Sequence, residues 1–344
     1  MSRCVLAAVG LLAVVSLARA QVPPKADPIR DWIADLDNPR YRLRDRASSR
    51  LAAAGVDAVK PLAQVVRKGS PEAADRALKI LGEMADGPDP KAEAAARKEL
   101  RKIADLDHQA AGDARAILAR RRNTILAIFQ QASVRVRETR GGLTDFDLDE
   151  VTDLDKVLPL LKEFPEIESV SLSNSRFTGK HAEHLAELKN LQDANLFQSK
   201  IDDAGLKHLT GLKFLRRVPM GHSLVTDEGL KTIGTMTQLE YVGVRGNKVT
   251  DAGLAHLKNL SGLTGLYLGE TAVSDNGLKH LAAFPKLQDL YLHTTGITDA
   301  GLEHLKELKD LRYLDLTRTR TTEAGRRRLQ EALPDAQIRA EEKP

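Results

Sequence analysis

Cysteine is almost missing from this sequence: the one residue, Cys4, stands near the start of a 344-residue chain. That excludes a disulfide framework and a thiolate metal site. Aromatic residues are only 4% of the chain, with a single Trp, so any core must be built from Leu, Ile, Val and Ala. No apolar run of membrane-spanning length follows the first twenty residues. Also missing are a Gly-x-Ser-x-Gly elbow, a His-Glu-x-x-His helix, a Walker loop and a Gly-x-Gly-x-x-Gly turn. The sequence therefore predicts no enzyme and no cofactor. What is present, 42% apolar and 29% charged residues, is the composition of a folded chain rather than a disordered one.

The first residues read as a targeting segment. Met1–Arg3 is basic, Cys4–Leu17 is apolar or small throughout, and Ala18-Arg19-Ala20 fits a small-x-small cleavage pattern. The expectation is a signal peptide over 1–20, a mature start at Gln21, and an exported protein: periplasmic, cell-surface or secreted. Fourteen residues are short for ~30 Å of hydrocarbon, so no stable membrane insertion is expected after cleavage.

Charge then splits the chain. From Gln21 to Arg140 there are 24 Lys+Arg against 17 Asp+Glu, and from Gly141 to Pro344 there are 26 against 31. Such asymmetry predicts two units. The first, 27–131, carries apolar residues at three- and four-residue spacing (Leu43, Ala47, Leu51; Ala74, Ala77, Leu78, Leu81), with Ser70-Pro71-Glu72 as a helix start. Arg46-Ala47, Leu51 and Gly55 recur thirty residues later as Arg76-Ala77, Leu81 and Ala85, around Val59-Lys60-Pro61-Leu62. This resembles the HEAT-like helical-repeat family, which implies an all-α unit. Pro88 to Arg122 is helical by composition but fits that repeat poorly. Arg40, Arg42, Arg44, Arg46 and Arg50 make a basic face, as do Arg120-Arg121-Arg122. With no interleaved aromatics to stack on bases, nucleic acid is not expected as a partner, and pairing with Asp31, Asp35, Asp37 and Asp45 is the plainer expectation.

The second unit, 133–340, has an exact period of 24: Gly205, Gly229, Gly253, Gly277, Gly301 and Gly325, and Leu191, Leu215, Leu239, Leu263, Leu287 and Leu311, preceded by Ile167 and Leu143. In the clearest copy Leu266 and Leu268 alternate with polar neighbours, as residues pointing inward from a short strand do. The ninth position holds Ser175, Ser199, Ser223, Asn247, Thr271, Thr295 and Thr319, small polar groups suited to satisfying buried loop amides and carbonyls. Thr250-Asp251, Ser274-Asp275 and Thr298-Asp299 read as helix caps. The pattern resembles the leucine-rich repeat family, in the class with short convex helices. The resemblance implies an α/β solenoid: a horseshoe with a parallel sheet on its concave side, eight repeats over 143–334. Val134 and Val136, followed by Gly141-Gly142, predict a closing hairpin over 133–148. Ile338 predicts a last inward strand within 335–340, before the charged Glu341-Glu342-Lys343 tail.

Two metal-like patterns are weighed and set aside. His184, His208, His256, His280 and His304 share the 24-residue spacing, but on the helical side, where an amphipathic residue suits a half-buried face. Asp145-x-Asp147-x-Asp149 opens like a calcium loop, yet Glu150 and Lys156 stand where Gly and the bidentate Glu are needed.

The remaining signal lies in the third, fifth and seventh positions of each copy, which point outward. Four of the chain's five tyrosines fall there: Tyr241, Tyr267, Tyr291 and Tyr313. Phe197, Arg217, Arg245, Asp289, His293 and Asp315 join them, with Gly243, Gly265 and Gly269 leaving room. Exposed Tyr with Arg is the composition of a recognition surface, although tyrosines also pack well against cross-strand neighbours. These ten residues are the candidate ligand-binding set. The resemblance implies a protein ligand as the commonest class; a glycan packed on tyrosine faces, or a purely architectural scaffold, are the other readings. Pro219 is expected to loosen one strand pairing.

Overall fold

A computed structural model describes residues 27–107, 109–139 and 142–340. The targeting segment and the acidic tail lie outside those residues. Contacts divide the chain into two compact units, between Arg121 and Arg122.

The first unit is all helix: α1 (Pro28–Asp35), α2 (Tyr41–Ala53), α3 (Val56–Lys68), α4 (Pro71–Ala85), α5 (Pro90–Ala104) and the start of α6 (Ala110–Gln131). Three starts carry the same signal: Asp27, Ser70 and Asp89 each accept a hydrogen bond from the first turn, with Pro as the next residue. The recurring residues Ala47, Leu51, Ala77 and Leu81 are all buried, in one core with Leu62, Ile80 and Leu100. Arg97 is 4% exposed, and its Nε and Nη2 donate to the Ala85 carbonyl at 2.9 and 2.7 Å, satisfying the end of α4. The expected pairing of the basic face is not found. Among the described residues no ion pair joins Arg40, Arg42, Arg44, Arg46 or Arg50 to Asp31, Asp35, Asp37 or Asp45; Arg44 instead donates to the carbonyls of Asn38 and Pro39, and the Arg50 guanidinium lies 5.7 Å from the Trp32 ring centre.

The second unit is a solenoid of stacked 24-residue repeats with leucines turned inward. Ten strands lie in chain order in one sheet: β1 (Arg135–Thr139), β2 (Gly142–Asp147), β3 (Ser169–Ser171), β4 (Asp193–Asn195), β5 (Arg217–Pro219), β6 (Tyr241–Gly243), β7 (Gly265–Tyr267), β8 (Asp289–Tyr291), β9 (Tyr313–Asp315) and β10 (Gln337–Arg339). Only β1 runs antiparallel, forming the closing hairpin with β2. From β2 onward each strand pairs in parallel with the residue 24 further along, Leu266 with Leu290 and Leu290 with Leu314. The inward leucines are fully buried in one continuous core. Ile338 pairs with Leu314 at the far end. The β4/β5 pairing is reduced to Asp193 with Arg217, where neighbouring pairs have three partners; Pro219, which has no N–H, ends β5 there.

The solenoid begins earlier than the sequence suggests. Ile125 and Phe129, on the second half of α6, belong to its core, and Phe129 packs with Phe146 and Phe164 at centroid distances of 5.9 and 5.6 Å. The helical periodicity runs unbroken to Gln131, so nothing in it marks where one core hands over to the next.

Two polar columns run along the solenoid, the first bonding mostly within each copy and the second between copies. At the ninth position the hydroxyls of Thr271, Thr295 and Thr319 donate to carbonyls three residues back, and the Asn247 amide donates to Met220 O while its Oδ1 accepts from Ser223 N–H. The second column corrects a sequence expectation. Thr226, Thr250, Thr298 and Thr322 do cap the helices that follow them, but Ser274, expected to cap its helix, makes no such bond, and the following aspartate reaches into the next copy. Asp203, Asp227, Asp251, Asp275 and Asp299 each accept the backbone N–H of Thr226, Thr250, Ser274, Thr298 or Thr322 at 2.7–2.9 Å, and its hydroxyl at 2.6 Å. Among the described residues no helix is long and apolar enough to cross a membrane.

Candidate functional site

The outward side of the sheet is set by strand alternation. With Leu266, Leu290 and Leu314 turned into the core, Tyr267, Tyr291, Asp289 and Tyr313 must point away from it. Parallel register then places equivalent positions of adjacent copies side by side: Gly265 beside Asp289, Asp289 beside Tyr313, and Tyr267 beside Tyr291.

Four tyrosines form one continuous row. Ring centroids are 4.9 Å apart for Tyr241 and Tyr267, 3.7 Å for Tyr267 and Tyr291, and 5.0 Å for Tyr291 and Tyr313. The central pair is stacked, with planes 23° apart. Gly265 makes the row possible, because a Cβ there would fall 2.7 Å from Tyr241 Cδ2. At its near end the Arg217 guanidinium lies 4.5 Å from the Tyr241 ring centre, while its Nε donates to Asp193 Oδ2 at 3.0 Å. All four rings are half-buried, largely against one another. Burial pushes the Tyr241 and Tyr267 hydroxyls up to about 12, and Tyr291 higher still, so these phenols stay neutral in any physiological medium.

Asp289 sits within this row, half-buried, and among the described residues no side chain or amide donates to its carboxylate. The other acids of the sheet face are occupied. Asp193 holds Arg217, Asp145 and Asp147 meet Arg137 and Arg135 at 3.1 and 2.8 Å, and Asp149 accepts from Ser171 and Ser173. Of the three calcium-like aspartates, Asp145 and Asp147 are thus paired with the hairpin's own arginines and Asp149 with the next copy's serines.

A second, polar cluster lies where the strands end. Arg245 Nε donates to Glu270 Oε1 at 3.0 Å; His222 Nε2 is 3.6 Å from Glu270 Oε2, and His293 Nε2 is 3.8 Å from Glu270 Oε1. Phe197 meets the His222 ring edge-on at 5.5 Å. His293 has a 16% exposed side chain, and its Nδ1 is buried without a hydrogen bond, 3.7 Å from Asp315 Oδ2. Burial and then the Arg245 charge hold the His293 pKa below the usual imidazole value, against the opposing pull of Asp315 and Glu270. The hydrogen bond from Arg245 holds Glu270 below the usual carboxylate value.

The ten sequence-predicted residues therefore fall into two groups: Arg217, Tyr241, Tyr267, Asp289, Tyr291 and Tyr313 in the row, and Phe197, Arg245, His293 and Asp315 in the cluster. Asp315 is 7% exposed and accepts Thr317 N–H at 2.9 Å, so it offers little to a ligand. The sequence reading missed His222 and Glu270, which occupy the eighth position of their copies. That position is left-handed throughout: Asn174, Gln198, His222, Glu270, Thr294 and Arg318 have φ of 54–58°, and Gly246 has 68°. Gly246 in that column was the available signal, since only glycine takes this backbone freely. On the helical side, His208, His256 and His304 are exposed, and among the described residues no three His, Cys, Asp or Glu side chains could share a metal ion.

No family model matches the chain, and no curated protein matches it. Solved structures do. The chain is similar to internalin C2 of Listeria monocytogenes, with 28% identity over 46% of this chain and 65% of that one, at a TM-score of 0.40. It is also similar to an internalin of the same organism, inlF, with 23% identity over 54% of this chain and 57% of that one, at a TM-score of 0.41. The matched part spans less than two thirds of the length of either.

Proposed function

We propose that this chain is an exported, non-enzymatic binding protein that takes a protein ligand on the tyrosine-bearing face of its leucine-rich repeat sheet. The observation that carries the reading is the row Tyr241–Tyr267–Tyr291–Tyr313, which gathers four of five tyrosines on the side of the sheet away from the core. Rigid aromatic area with few torsions to freeze is what interface anchors are made of. Parallel-sheet solenoids present such a face as an extended concave surface. A protein ligand fits better than a glycan, because Tyr267 and Tyr291 turn their faces on each other rather than toward a sugar. Export rests on Met1–Arg3, Cys4–Leu17 and Ala18-Arg19-Ala20 together. The first unit is proposed as HEAT-like on the equivalent burial of Ala47 with Ala77 and Leu51 with Leu81.

The test is capture of proteins from an extract of the native host, using the mature chain against the double variant Tyr267→Ala with Tyr291→Ala. Ser169→Ala with Ser171→Ala serves as control on the same face. Specific capture lost only with the tyrosine pair is the expected result. Equal capture by both would reject the face as the binding site.

A further inference from the structure

The third-position column of the sheet carries a chemical pattern that is complete in one half and incomplete in the other. In β4 to β6 it reads Asp193, Arg217, Tyr241: a carboxylate, a guanidinium bonded to it at 3.0 Å, and a ring beneath that guanidinium at 4.5 Å. In β7 to β9 it reads Gly265, Asp289, Tyr313. Here the carboxylate stands directly beside the tyrosine, and among the described residues no cation is bonded to it. Gly265 has no side chain, and the Tyr241 ring lies over it. Tyr291 is two residues along the same strand and face, and Tyr267 stands diagonally across, stacked on Tyr291.

We propose that Asp289, framed by Tyr241, Tyr267, Tyr291 and Tyr313, receives an arginine side chain of the protein ligand. The proposal rests on the reading of this face as the binding site and names the chemistry it selects. A half-buried carboxylate without a donor gains most from a partner that brings charge and hydrogen bonds together. A guanidinium does this bidentately, which a point-charge ammonium cannot match. Arg217 performs the same pairing three strands away. The other acids on the face already hold a donor, so Asp289 is where a ligand cation finds a free carboxylate.

The experiment measures calorimetric binding of a short peptide alternating glycine and arginine to the full chain at low ionic strength, with tyrosine fluorescence read in parallel. A glycine–lysine peptide and a glycine–glutamate peptide complete the set. The expected result is preferential binding of the arginine peptide, weakened about tenfold or more by Asp289→Asn. Asp310→Asn, an exposed change of the same charge elsewhere, should leave it unaltered. Asp289→Ser, with melting curves for each variant, separates lost binding from lost folding. Equal binding of the lysine peptide, no binding of the arginine peptide, or equal weakening by Asp310→Asn overturns the proposal. If it is overturned while Tyr267→Ala with Tyr291→Ala still abolishes partner capture, the wider reading of the face stands; if capture also survives that pair, both fall.

Discussion

Tyr267 and Tyr291 stack face to face, 3.7 Å between centroids, although neither belongs to the buried core. They stand one strand apart at the same position of consecutive copies, and the spacing of parallel strands, ~4.8 Å, is close to that of stacked rings. The surface row is thus also a small structural element. It joins two expectations that the sequence set against each other, a recognition surface and cross-strand packing.

From this follows a coupling between the two rings. Tyr267→Ala and Tyr291→Ala should each cost a modest amount of stability, and the double variant should cost less than the two singles together. The difference should be about 0.5–1.5 kcal/mol, the usual worth of an aromatic pair beyond its buried area. Urea denaturation of the four proteins gives the number. Strict additivity would mean that the rings act separately.

The glycine column makes a second, sharper case. Gly277 lies directly under Asp251 of the preceding copy, and a Cβ on it would overlap Asp251 Oδ1. Asp251 cannot move aside without releasing the Ser274 N–H and hydroxyl, held at 2.7 and 2.6 Å. Gly277→Ala, which in an exposed helix would stabilise by up to ~1 kcal/mol, should here destabilise by about 1–3 kcal/mol. Asp251→Ala should cost a similar amount through its lost charge-assisted bonds, and in that background Gly277→Ala should cost little more. For scale, Leu266→Ala removes a fully buried side chain and should cost ~2–5 kcal/mol. Melting temperatures of the three variants and the double check the order.

Acid should loosen the polar cluster in two steps. The His293 pKa is lower folded than unfolded, so the folded state binds fewer protons in that range. Its contribution is full above about 6.5 and is lost as pH falls through the folded value. His184, also lowered chiefly by burial, works in the same direction. Glu270 is lowered as well, so its contribution is present above the usual carboxylate value and is lost as pH falls through its folded one, in a separate, more acidic window. His293→Gln should therefore flatten, but not abolish, the fall in melting temperature between neutral and mildly acidic pH, and leave the lower step in place. Parallel curves for variant and wild type would show that His293 does not titrate as its burial requires.

The sequence by itself determined the repeat, its 24-residue period, the inward leucines, the polar ninth column, the closing hairpin and which face the tyrosines occupy. These follow from alternation and periodicity, which act within a single copy and recur in every one. What only the tertiary structure decided lies between copies. It showed why the glycine column is glycine, because the obstructing atom belongs to an aspartate 26 residues earlier for Gly277. It showed that the aspartates clamp the next copy rather than cap their own helix, that the left-handed eighth position brings His222 and Glu270 beside Arg245, and that Asp315 is covered while, among the described residues, none donates to the Asp289 carboxylate. The helical periodicity of α6 likewise gave no sign that Ile125 and Phe129 serve the solenoid's core. A side chain's partner across a sheet is fixed by strand register and by the shape of its neighbours. Those quantities come into being only when the copies stack, and no local pattern encodes them.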